Sequence, residues 1–439
     1  MALTGKRTFV GFGFGAIQAG LFLYEAFRSG KFGRLVVAEV LPDIVRAIGQ
    51  AGGHYSVNVA HQDRVEAAGI GPVELMNPAL ECDRARLIDA VAAADEIATA
   101  VPSVQHYVSH GPGSVHRILA QGLRNKAARG GPPAVLYAAE NHNHAAERLE
   151  EAIAGEIPAV ERPQVSARIR YLNTVIGKMS GIVTAARDGR QSSLAPIAPG
   201  FDRIFLVESF NRILISRIRF DSAAAAEPFM RGINCFQEKD DLLPFEEAKL
   251  FGHNATHALA AYVGAIRGVR WIADLRDFPA LLSFLRAAFI EESGNALIRK
   301  HSGLDPLFTP EGYREYADDL LARMVNPFLQ DSVERVGRDA ERKLAWDDRL
   351  IGTMRIALRM GIIPRRYAIG AAAALATMDR SALETGRSVA SWLEPLWETS
   401  SPQSDEKQAI LDLIDVGRRT LRRWIDSDYR CLDEMHPSS

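Results

Sequence analysis

Three polar residues interrupt an apolar, helix-like run at residues 247–265, EEAKLFGHNATHALAAYVG. Lys249, Asn254 and His257 stand at positions i, i+5 and i+8. In an α-helix these offsets lie about 140° and 80° around the axis from the lysine, so Asn254 and His257 point roughly alike. Lys249 joins them if it lies in the first helical turn or just before it. The spacing alone leaves a plainer interpretation open, a solvated lysine and a hydrogen-bonded core histidine.

A lysine, an asparagine and a histidine brought together could oxidise an alcohol to a carbonyl. Burial lowers the pKa of a lysine toward the working pH, so Lys249 could take the hydroxyl proton while hydride leaves the carbon. Asn254 could hydrogen-bond the developing alkoxide, and His257 could orient substrate hydroxyls. This chemistry requires no metal ion.

A glycine-rich motif, VGFGFGAIQAG, follows the first β-rich run and opens the first helix-like segment. Gly11, Gly13 and Gly15 permit a tight turn and let backbone N–H groups approach a pyrophosphate at the helix N-terminus. Neither reading of these glycines gives a strict GxGxxG, because the third position falls on Gln18 or on Ala16. The motif therefore indicates a dinucleotide site only when its surroundings agree.

The next predicted strand supports the dinucleotide site. RLVVAEV (34–40) carries Glu39 near its end, where an acidic side chain would accept the adenosine ribose hydroxyls. No arginine follows it to receive a 2′-phosphate, which favours NAD over NADP. Ala16, Ile17 and Val101 complete the predicted cofactor-binding set, and glycines that merely turn a strand into a helix remain the alternative.

The elements that must position these residues change character along the chain. Four strands are predicted in the first 200 residues, at 7–12, 34–40, 96–102 and 133–140. Helix-like segments separate them, while helical periodicity dominates from Phe245 onward. We predict an α/β fold, with an N-terminal Rossmann-type dinucleotide-binding domain (1–200) followed by a mainly α-helical substrate and catalytic domain (201–439). The Gly-, Ser- and Pro-rich segment 185–201 marks the boundary.

Composition excludes several classes of partner. The 439-residue chain has a formal net charge of -2, so neither nucleic acid nor a membrane is a predicted partner. Its three cysteines, Cys82, Cys235 and Cys431, lie far apart, which indicates a reducing compartment without disulfides or structural zinc. The run 9–24 resembles a signal peptide but is punctuated by glycines and lacks a clear cleavage site. A cytoplasmic monomer or homo-oligomer acting on a small molecule is predicted.

Two histidine pairs raise the alternative of a metal site. His106 and His110 are four residues apart, and His142 and His144 flank one asparagine. A pair at helical spacing can ligate zinc. No carboxylate or thiol completes an obvious ligand set, so no metal is predicted.

The pattern Lys-x4-Asn-x2-His resembles the signature of the polyol-specific long-chain dehydrogenases/reductases, most closely that of the mannitol-1-phosphate 5-dehydrogenases within this family. Agreement continues, in order, through GFGAIQAGLF, VVAEVLPDIVRAIG, AENHNHAAERL, FIEESGNALIRKHSGLD and NPFLQDSVERVGRDAERKLAWDDRLI, which together cover roughly residues 8–375. The resemblance implies an NAD-dependent, metal-independent oxidoreductase. The enzyme would interconvert a polyol and its ketose. The polyol would be a sugar-alcohol phosphate such as mannitol 1-phosphate.

The resemblance also implies roles for individual residues near the reacting carbon. Lys249 would be the general acid/base, and His257 would bind and orient the substrate. Asn254 and Asn141, the latter in AAEN at the end of a strand, would form an oxyanion-type pair on the reacting oxygen.

Four further cations are implied to contact substrate or to lie beside it. Arg335 and Lys343 match substrate-contacting positions of the family, and Arg338 and Arg342 are near enough in sequence to receive a phosphate or carboxylate. Each could instead lie on a solvated helix face or pair with the neighbouring acids Asp331, Glu334 and Asp339.

The chain departs from the family pattern at two places. Gln18 stands at the third glycine position, and Gly177-Lys178 stand where the family usually has Asp-Arg. Loss of that carboxylate removes a polar partner near the lysine, and Lys178 becomes a candidate new substrate contact. Two other functions stay open: reduction of a sugar acid, as in the uronate reductases of the family, and a repurposed, non-catalytic member that binds sugar or NAD.

Overall fold

The computed structural model of the protein describes residues 7–184, 194–220, 229–329, 331–384, 387–400, 403–430 and 432–433. Contacts divide the chain into two compact units, Met1–Leu243 and Pro244–Ser439. Residues 185–193 of the predicted boundary segment, and Cys431, lie outside the described residues. None of the helices in the described ranges combines the length and the apolarity needed to cross a membrane.

The strands that the structure describes all belong to the first unit. They are β1 (Arg7–Phe12), β2 (Phe32–Ala38), β3 (Tyr55–Ala60), β4 (Val65–Ile70), β5 (Glu74–Met76), β6 (Glu96–Thr99), β7 (Ala134–Ala138), β8 (Ile169–Ile176), β9 (Ser180–Thr184), β10 (Arg203–Glu208), β11 (Ile213–Ser216) and β12 (Phe236–Lys239).

An eight-stranded sheet with the order β12-β11-β8-β7-β6-β1-β2-β5 forms the centre of the first unit. The six strands from β8 to β5 pair with one another in parallel. β11 joins the edge antiparallel to β8 and pairs in parallel with β12. Taken in chain order, the six parallel strands have the 3-2-1-4-5-6 arrangement of dinucleotide-binding folds. The predicted Rossmann-type fold is confirmed, with its switch point between β1 and β6.

A second sheet of four strands, β4-β3-β10-β9, completes the first unit. β3 is antiparallel to β4 and parallel to β10, and β10 is antiparallel to β9. β10 and β11 follow residue 200 in the chain but pair with β3, β8 and β9, which precede it, and β12 pairs with β11. The division of the structure at residue 243 therefore differs from the expected boundary at residue 200, because long-range pairing leaves no local signal in the sequence.

The central strands are buried along almost their whole length because helices cover both faces of a parallel sheet. Every residue of β7, and every residue of β1 except Arg7, is buried. On one face, aromatic rings form a continuous series, with ring centroids 6.5 Å apart for Phe9–Phe22, 5.8 Å for Phe22–Tyr137 and 5.1 Å for Tyr137–Phe236. Such pairs add about 0.5–1.5 kcal/mol each beyond their burial.

Helices complete both units. Those of the first unit are α1 (Tyr24–Ser29), α2 (Pro42–Gln50), α3 (Glu81–Ala93), α4 (Val115–Ala128), α5 (Ala145–Gly155) and α6 (Arg162–Ser166). The remaining ones are α7 (Leu243–Glu247), α8 (Ala255–Arg267), α9 (Pro279–Ala287), α10 (Asn295–Lys300), α11 (Pro310–Met324), α12 (Val333–Gly337), α13 (Ala340–Lys343), α14 (Ile351–Arg359), α15 (Arg365–Met378), α16 (Ala390–Trp397) and α17 (Ser404–Asp426).

Wider and tighter helical turns connect several of these helices. In the part of the chain that the structure describes, three segments are π-helical: Gln18–Leu23, Ala248–Asn254 and Ala288–Gly294. Five are short 3₁₀ turns: Val104–Tyr107, Ile272–Asp277, Pro306–Phe308, Arg380–Leu383 and Glu398–Ser400. The mainly α-helical character predicted for the C-terminal part of the chain is confirmed.

Candidate active site

Lys249 lies in the π-helical segment Ala248–Asn254, which connects α7 to α8. Hydrogen bonds in a π turn join residues five apart, so positions i and i+5 come to the same side of the helix. Lys249 and Asn254 form such a pair. The α-helical offset of about 140° expected for them does not apply, because the turn is wider than an α turn.

The environment of Lys249 favours loss of its proton. The side chain is half-buried, and burial lowers its pKa to about 8. Glu246 opposes this effect, while the positive charge of Arg349 adds to it. An amine with this pKa can both accept and donate a proton near neutral pH, as a general acid/base must.

His257 lies in the first turn of α8 and is neutral at physiological pH. Burial lowers its pKa to about 4, opposed by Asp331 and reinforced by the charges of Arg335, Arg349 and Lys343. A neutral imidazole donates a hydrogen bond from one ring nitrogen and accepts one at the other. His257 is therefore suited to binding a hydroxyl group, which can both donate and accept a hydrogen bond.

A second histidine, His253, was not predicted from the sequence. It is only 6% exposed, its ring centroid lies 6.3 Å from that of His257, and burial holds its pKa well below the usual value. It precedes Asn254 in the same π-helical segment. In the sequence, only its position between the lysine and the asparagine of the Lys-x4-Asn pattern could have indicated that it belongs to the site.

Asp331 connects His257 to Arg335. Its Oδ2 lies 3.7 Å from His257 Nε2, and its Oδ1 accepts a hydrogen bond from Arg335 Nη2. The ion pair considered for Arg335 from the sequence is therefore present, and it holds the guanidinium group beside the imidazole. The second unit thus brings His257 and Arg335, 78 positions apart by their numbering, to one carboxylate.

Lys343, at the end of α13, is buried and points back toward its own segment. Its Nζ donates to the Arg338 carbonyl and lies 6.0 Å from the centre of the Tyr262 ring. Burial, together with the positive charges of Arg349 and Arg342, lowers its pKa to about 8.

Arg338 and Arg342 are far more exposed than Lys343. Their side chains are 71% and 52% exposed, and one nitrogen of each lies 4.0 Å from the same carboxylate oxygen, Asp339 Oδ2. Asp339 has a φ of 57°, in the left-handed region, where the chain turns from α12 into α13. The turn therefore presents two guanidinium groups to solvent around one acid.

Arg349 was overlooked at the sequence level. Its side chain is 13% exposed, and its Nε donates to Asp348 Oδ1 over 2.8 Å. The hydroxyl of Thr353 donates to the carbonyls of Arg349 and Phe251, so it ties this arginine to the π-helical segment. Its charge lowers the pKa of four basic groups: Lys249, His253, His257 and Lys343. In the sequence, only the position of Arg349 within the segment NPFLQDSVERVGRDAERKLAWDDRLI, which resembles the family, could have indicated its role.

In the first unit, the glycine-rich turn follows β1 at the switch point of the sheet. Gly13 has a φ of +84°, and a Cβ there would lie 2.8 Å from the Ala100 carbonyl oxygen, so only glycine fits. Ala16 and Ile17 form the first helical turn after it. The backbone can therefore approach a ligand closely at this point.

Glu39 supports the turn from the next strand. It is 6% exposed, and its two carboxylate oxygens accept hydrogen bonds of 2.8 Å from the backbone N–H groups of Phe14 and Leu41. Each carboxylate oxygen can accept more than one hydrogen bond, so this arrangement leaves acceptor capacity for a ligand hydroxyl.

Glu140, which sequence reasoning also missed, joins the ends of β6 and β7. The backbone N–H of Val101 donates to its Oε1, and the hydroxyls of Thr99 and Tyr107 donate to its Oε2. Burial raises the pKa of Glu140, while these hydrogen bonds oppose the rise. Asn141 follows it and is exposed at the carboxyl end of β7. Because Asn141 and Asn254 belong to different units, their predicted pairing stays a prediction.

The histidine pairs of the first unit do not form a recognisable metal centre. The ring centroids of His142 and His144 lie 6.3 Å apart, and the Nδ1 of His142 accepts from the His144 backbone. Across the described ranges, no group of three or more His, Cys, Asp or Glu residues could hold a metal ion.

Comparison with known proteins identifies the family. Residues 241–414 match the mannitol dehydrogenase C-terminal domain. The mannitol-1-phosphate 5-dehydrogenase of Bacillus licheniformis is 30% identical over 83% of this chain and 86% of its own length. The chain belongs to the mannitol dehydrogenase family. The corresponding Bacillus pumilus protein is also 30% identical, over 78% of this chain and 81% of its own length.

Two solved structures of polyol dehydrogenases have the same fold. Pseudomonas fluorescens mannitol 2-dehydrogenase, in a ternary complex with NAD and D-mannitol, aligns with a TM-score of 0.65 and 16% identity, covering 98% of this chain and 94% of that one. A substrate-free D-sorbitol dehydrogenase aligns with a TM-score of 0.71 and 16% identity, covering 98% and 95%. The resemblance inferred from the sequence is confirmed, and the chain is an oxidoreductase of this family.

Lys178, one of this chain's departures from the mannitol dehydrogenase pattern, is a buried residue. It is 7% exposed, and its ammonium group donates to the Glu208 and Phe210 carbonyls and to Asn211 Oδ1. These acceptors lie at the end of β10 and in its connection to β11. The geometry favours a role in holding that connection over the expected substrate contact.

Gln18, the other departure from the family pattern, fills space that Gly11 leaves beside β1. Its side chain is fully buried, and a side chain at Gly11 would collide with its amide. Within the described residues, neither polar atom of that amide has a hydrogen-bond partner. The helix can therefore follow β1 in this member of the mannitol dehydrogenase family although the third glycine is absent.

Proposed function

We propose that this protein is an NAD-dependent, metal-independent dehydrogenase that interconverts a polyol and its ketose. The proposed polyol is a sugar-alcohol phosphate such as mannitol 1-phosphate. The observation that carries the proposal is Lys249, a half-buried amine with a pKa lowered to about 8. It shares one side of a π turn with Asn254, and His257 follows in the next helical turn.

Lys249 acts as the general acid/base. In ketose reduction its ammonium group gives a proton to the carbonyl oxygen while the carbonyl carbon receives a hydride. In polyol oxidation the neutral amine takes the hydroxyl proton as the hydride leaves. Proton transfer from a positioned group contributes roughly 10²–10⁴-fold to the rate.

NAD fits the residues at the switch point of the first unit. When bound, it supplies or accepts the hydride. The turn at Gly13 lets the backbone approach its pyrophosphate, and Glu39 has acceptor capacity for ribose hydroxyls. The full proposed set is Gly11, Gly13, Gly15, Ala16, Ile17, Glu39 and Val101.

The remaining polar residues bind the substrate. Asn254 and Asn141 donate hydrogen bonds to the reacting oxygen, where negative charge develops during the reaction. His257 binds a hydroxyl through its neutral imidazole. Arg335 and Lys343 contact the other hydroxyl groups of the substrate.

The phosphate would bind at the exposed arginines. Arg338 and Arg342 present two guanidinium groups around Asp339, and such groups bind phosphate through paired hydrogen bonds. Two relatives named as mannitol-1-phosphate 5-dehydrogenases support this choice. The same arginines would also accept a carboxylate, which keeps a uronate reductase as the second candidate.

A ketose panel tests the proposal. NADH oxidation is measured with fructose 6-phosphate, fructose and tagaturonate, each with and without EDTA. We expect the highest kcat/KM with fructose 6-phosphate and no effect of EDTA. A preference for tagaturonate would select the uronate reductase. Inactivity with every ketose, together with unchanged NADH fluorescence on mixing, would leave only a repurposed member of the family.

A further inference from the structure

Asp331 occupies a position that neither the sequence motif nor the proposed chemistry assigns. Its side chain is 15% exposed and lies between two residues that are proposed to bind the substrate, His257 and Arg335. One oxygen accepts a hydrogen bond from Arg335, and the other faces His257 Nε2 at 3.7 Å. One carboxylate therefore contacts both side chains, although 74 positions separate Asp331 from His257.

The backbone holds Asp331 firmly in this place. Its carbonyl accepts a hydrogen bond of 2.9 Å from the Ile272 N–H, and the adjacent Ser332 forms an antiparallel bridge with Trp271. The Ser332 hydroxyl then caps α12 by accepting from the Arg335 N–H over 3.1 Å. The carboxylate and the guanidinium group are thus fixed by the same short turn.

The nitrogen that faces this carboxylate is buried. Among the described residues, His257 Nε2 has no hydrogen-bond partner, and 3.7 Å is too long for a direct bond. A neutral imidazole has one N–H, and a bare nitrogen lone pair facing a carboxylate would be repelled by it. Nε2 is therefore the favoured site of the proton, which leaves Nδ1 as an acceptor.

We propose that Asp331 is a positioning residue: it keeps the proton of His257 on Nε2, so that Nδ1 accepts a hydrogen bond from a substrate hydroxyl, and it fixes Arg335 beside it. This inference rests on the proposed polyol chemistry. In this proposal Asp331 controls which hydrogen bonds the substrate hydroxyls make with His257 and Arg335. It takes no part in proton transfer to or from the substrate.

The tautomer of His257 tests the proposal without any activity measurement. The protein is labelled with ¹⁵N-histidine, and the His257 signal is assigned by its loss in His257→Gln. We expect the wild-type signal of a neutral ring protonated at Nε2, and a mixture of both tautomers in Asp331→Ala. Asp331→Asn, whose amide oxygen still accepts, should retain the wild-type tautomer. A wild-type ring protonated at Nδ1 would overturn the proposal outright.

Kinetics supply the second measurement. Loss of one oriented hydrogen bond should raise the ketose KM of Asp331→Ala about tenfold while the NADH KM stays unchanged. Asp331→Asn should recover most of that loss. Asp318→Ala, which removes an exposed acid paired with Arg286 at 2.6 Å, is the matched control and should leave both constants unchanged.

The two measurements separate this inference from the proposed function. A wild-type protein inactive with every ketose refutes the function, while the tautomer still decides the placement of the His257 proton. An active wild type whose ketose KM and tautomer are unaffected by Asp331→Ala refutes the positioning role alone.

Discussion

The amine of Lys249 is easier to deprotonate than that of a solvated lysine, because burial disfavours its charged form and Arg349 lies nearby. Glu246 limits the effect, which leaves the pKa at about 8. His257 is under the same influences, but its pKa lies far below neutrality, at about 4. Of these two residues, only the lysine can change its protonation state in the working pH range.

This difference predicts the pH dependence. The neutral amine is the base for polyol oxidation, so kcat/KM for oxidation should rise with pH through a midpoint of about 8. The ammonium group is the acid for ketose reduction, so kcat/KM for reduction should fall through the same midpoint. Initial rates between pH 6 and 10 in both directions measure it. Profiles that are flat, or that rise in both directions, would contradict the assignment of Lys249.

Substitution of the lysine gives a direct test. Lys249→Ala should lower kcat by roughly 10²–10⁴-fold, because the positioned proton donor is lost. NADH binding, followed by fluorescence, should stay unchanged. Lys300→Ala is the control, since Lys300 is a 36% exposed lysine of the same unit that pairs with Glu247. Equal losses in both variants would show that lysine replacement acts through the fold.

At the scale of elements, the π-helical segment Ala248–Asn254 matters most, since it places Lys249 and Asn254 on one side. Close packing surrounds it. A Cβ at Gly252 would lie 2.6 Å from Tyr313 Oη and 2.7 Å from Phe289 Cε2, both buried side chains. The absence of a side chain at Gly252 therefore lets this segment pack against α11 and the other π-helical segment, Ala288–Gly294.

Gly252→Ala should consequently destabilise the protein. Forcing a methyl group into a packed region costs about 1–3 kcal/mol, even though alanine favours helix. Gly264→Ala on α8 is the matched control, because its Cβ would meet its nearest neighbour at 3.6 Å, an ordinary contact. Urea unfolding of both variants measures the difference. A Gly252→Ala protein as stable as wild type would show that the π turn relaxes freely.

At the scale of the whole molecule, the proposed cofactor residues and most proposed substrate residues belong to different compact units. The family domain begins at residue 241, close to the division of the structure after Leu243. Glu39 supports the glycine-rich turn in the first unit, whereas Arg335 is held by Asp331 in the second. Each unit therefore has its own set of proposed binding residues.

This division predicts separable kinetic effects. Glu39→Ala removes the acceptor of the Phe14 and Leu41 N–H groups, so it should raise the NADH KM about tenfold and leave the ketose KM unchanged. Arg335→Ala should raise the ketose KM and leave the NADH KM unchanged. Steady-state kinetics with each substrate varied in turn measure both. Loss of NADH affinity in Arg335→Ala would contradict the division of roles.

Local chemistry explains what could be predicted from the sequence. Hydrophobic runs and glycine turns indicated the Rossmann-type sheet and the helical second part, because these patterns reflect local backbone preferences and burial. The residue types at Lys249, Asn254 and His257 allowed an acid/base site, and the resemblance to the polyol dehydrogenases favoured it over a solvated lysine and a core histidine. The sequence by itself determined the class of fold, the family and the candidate acid/base.

Tertiary structure decided what depends on distant segments. The pairing of β10–β12 with earlier strands set the end of the first unit, and the π turn set the relative directions of Lys249 and Asn254. The positions of Arg349, Glu140 and Asp331 also became apparent only there. Their effects depend on distance and burial, and a single sequence records neither for residues far apart in the chain.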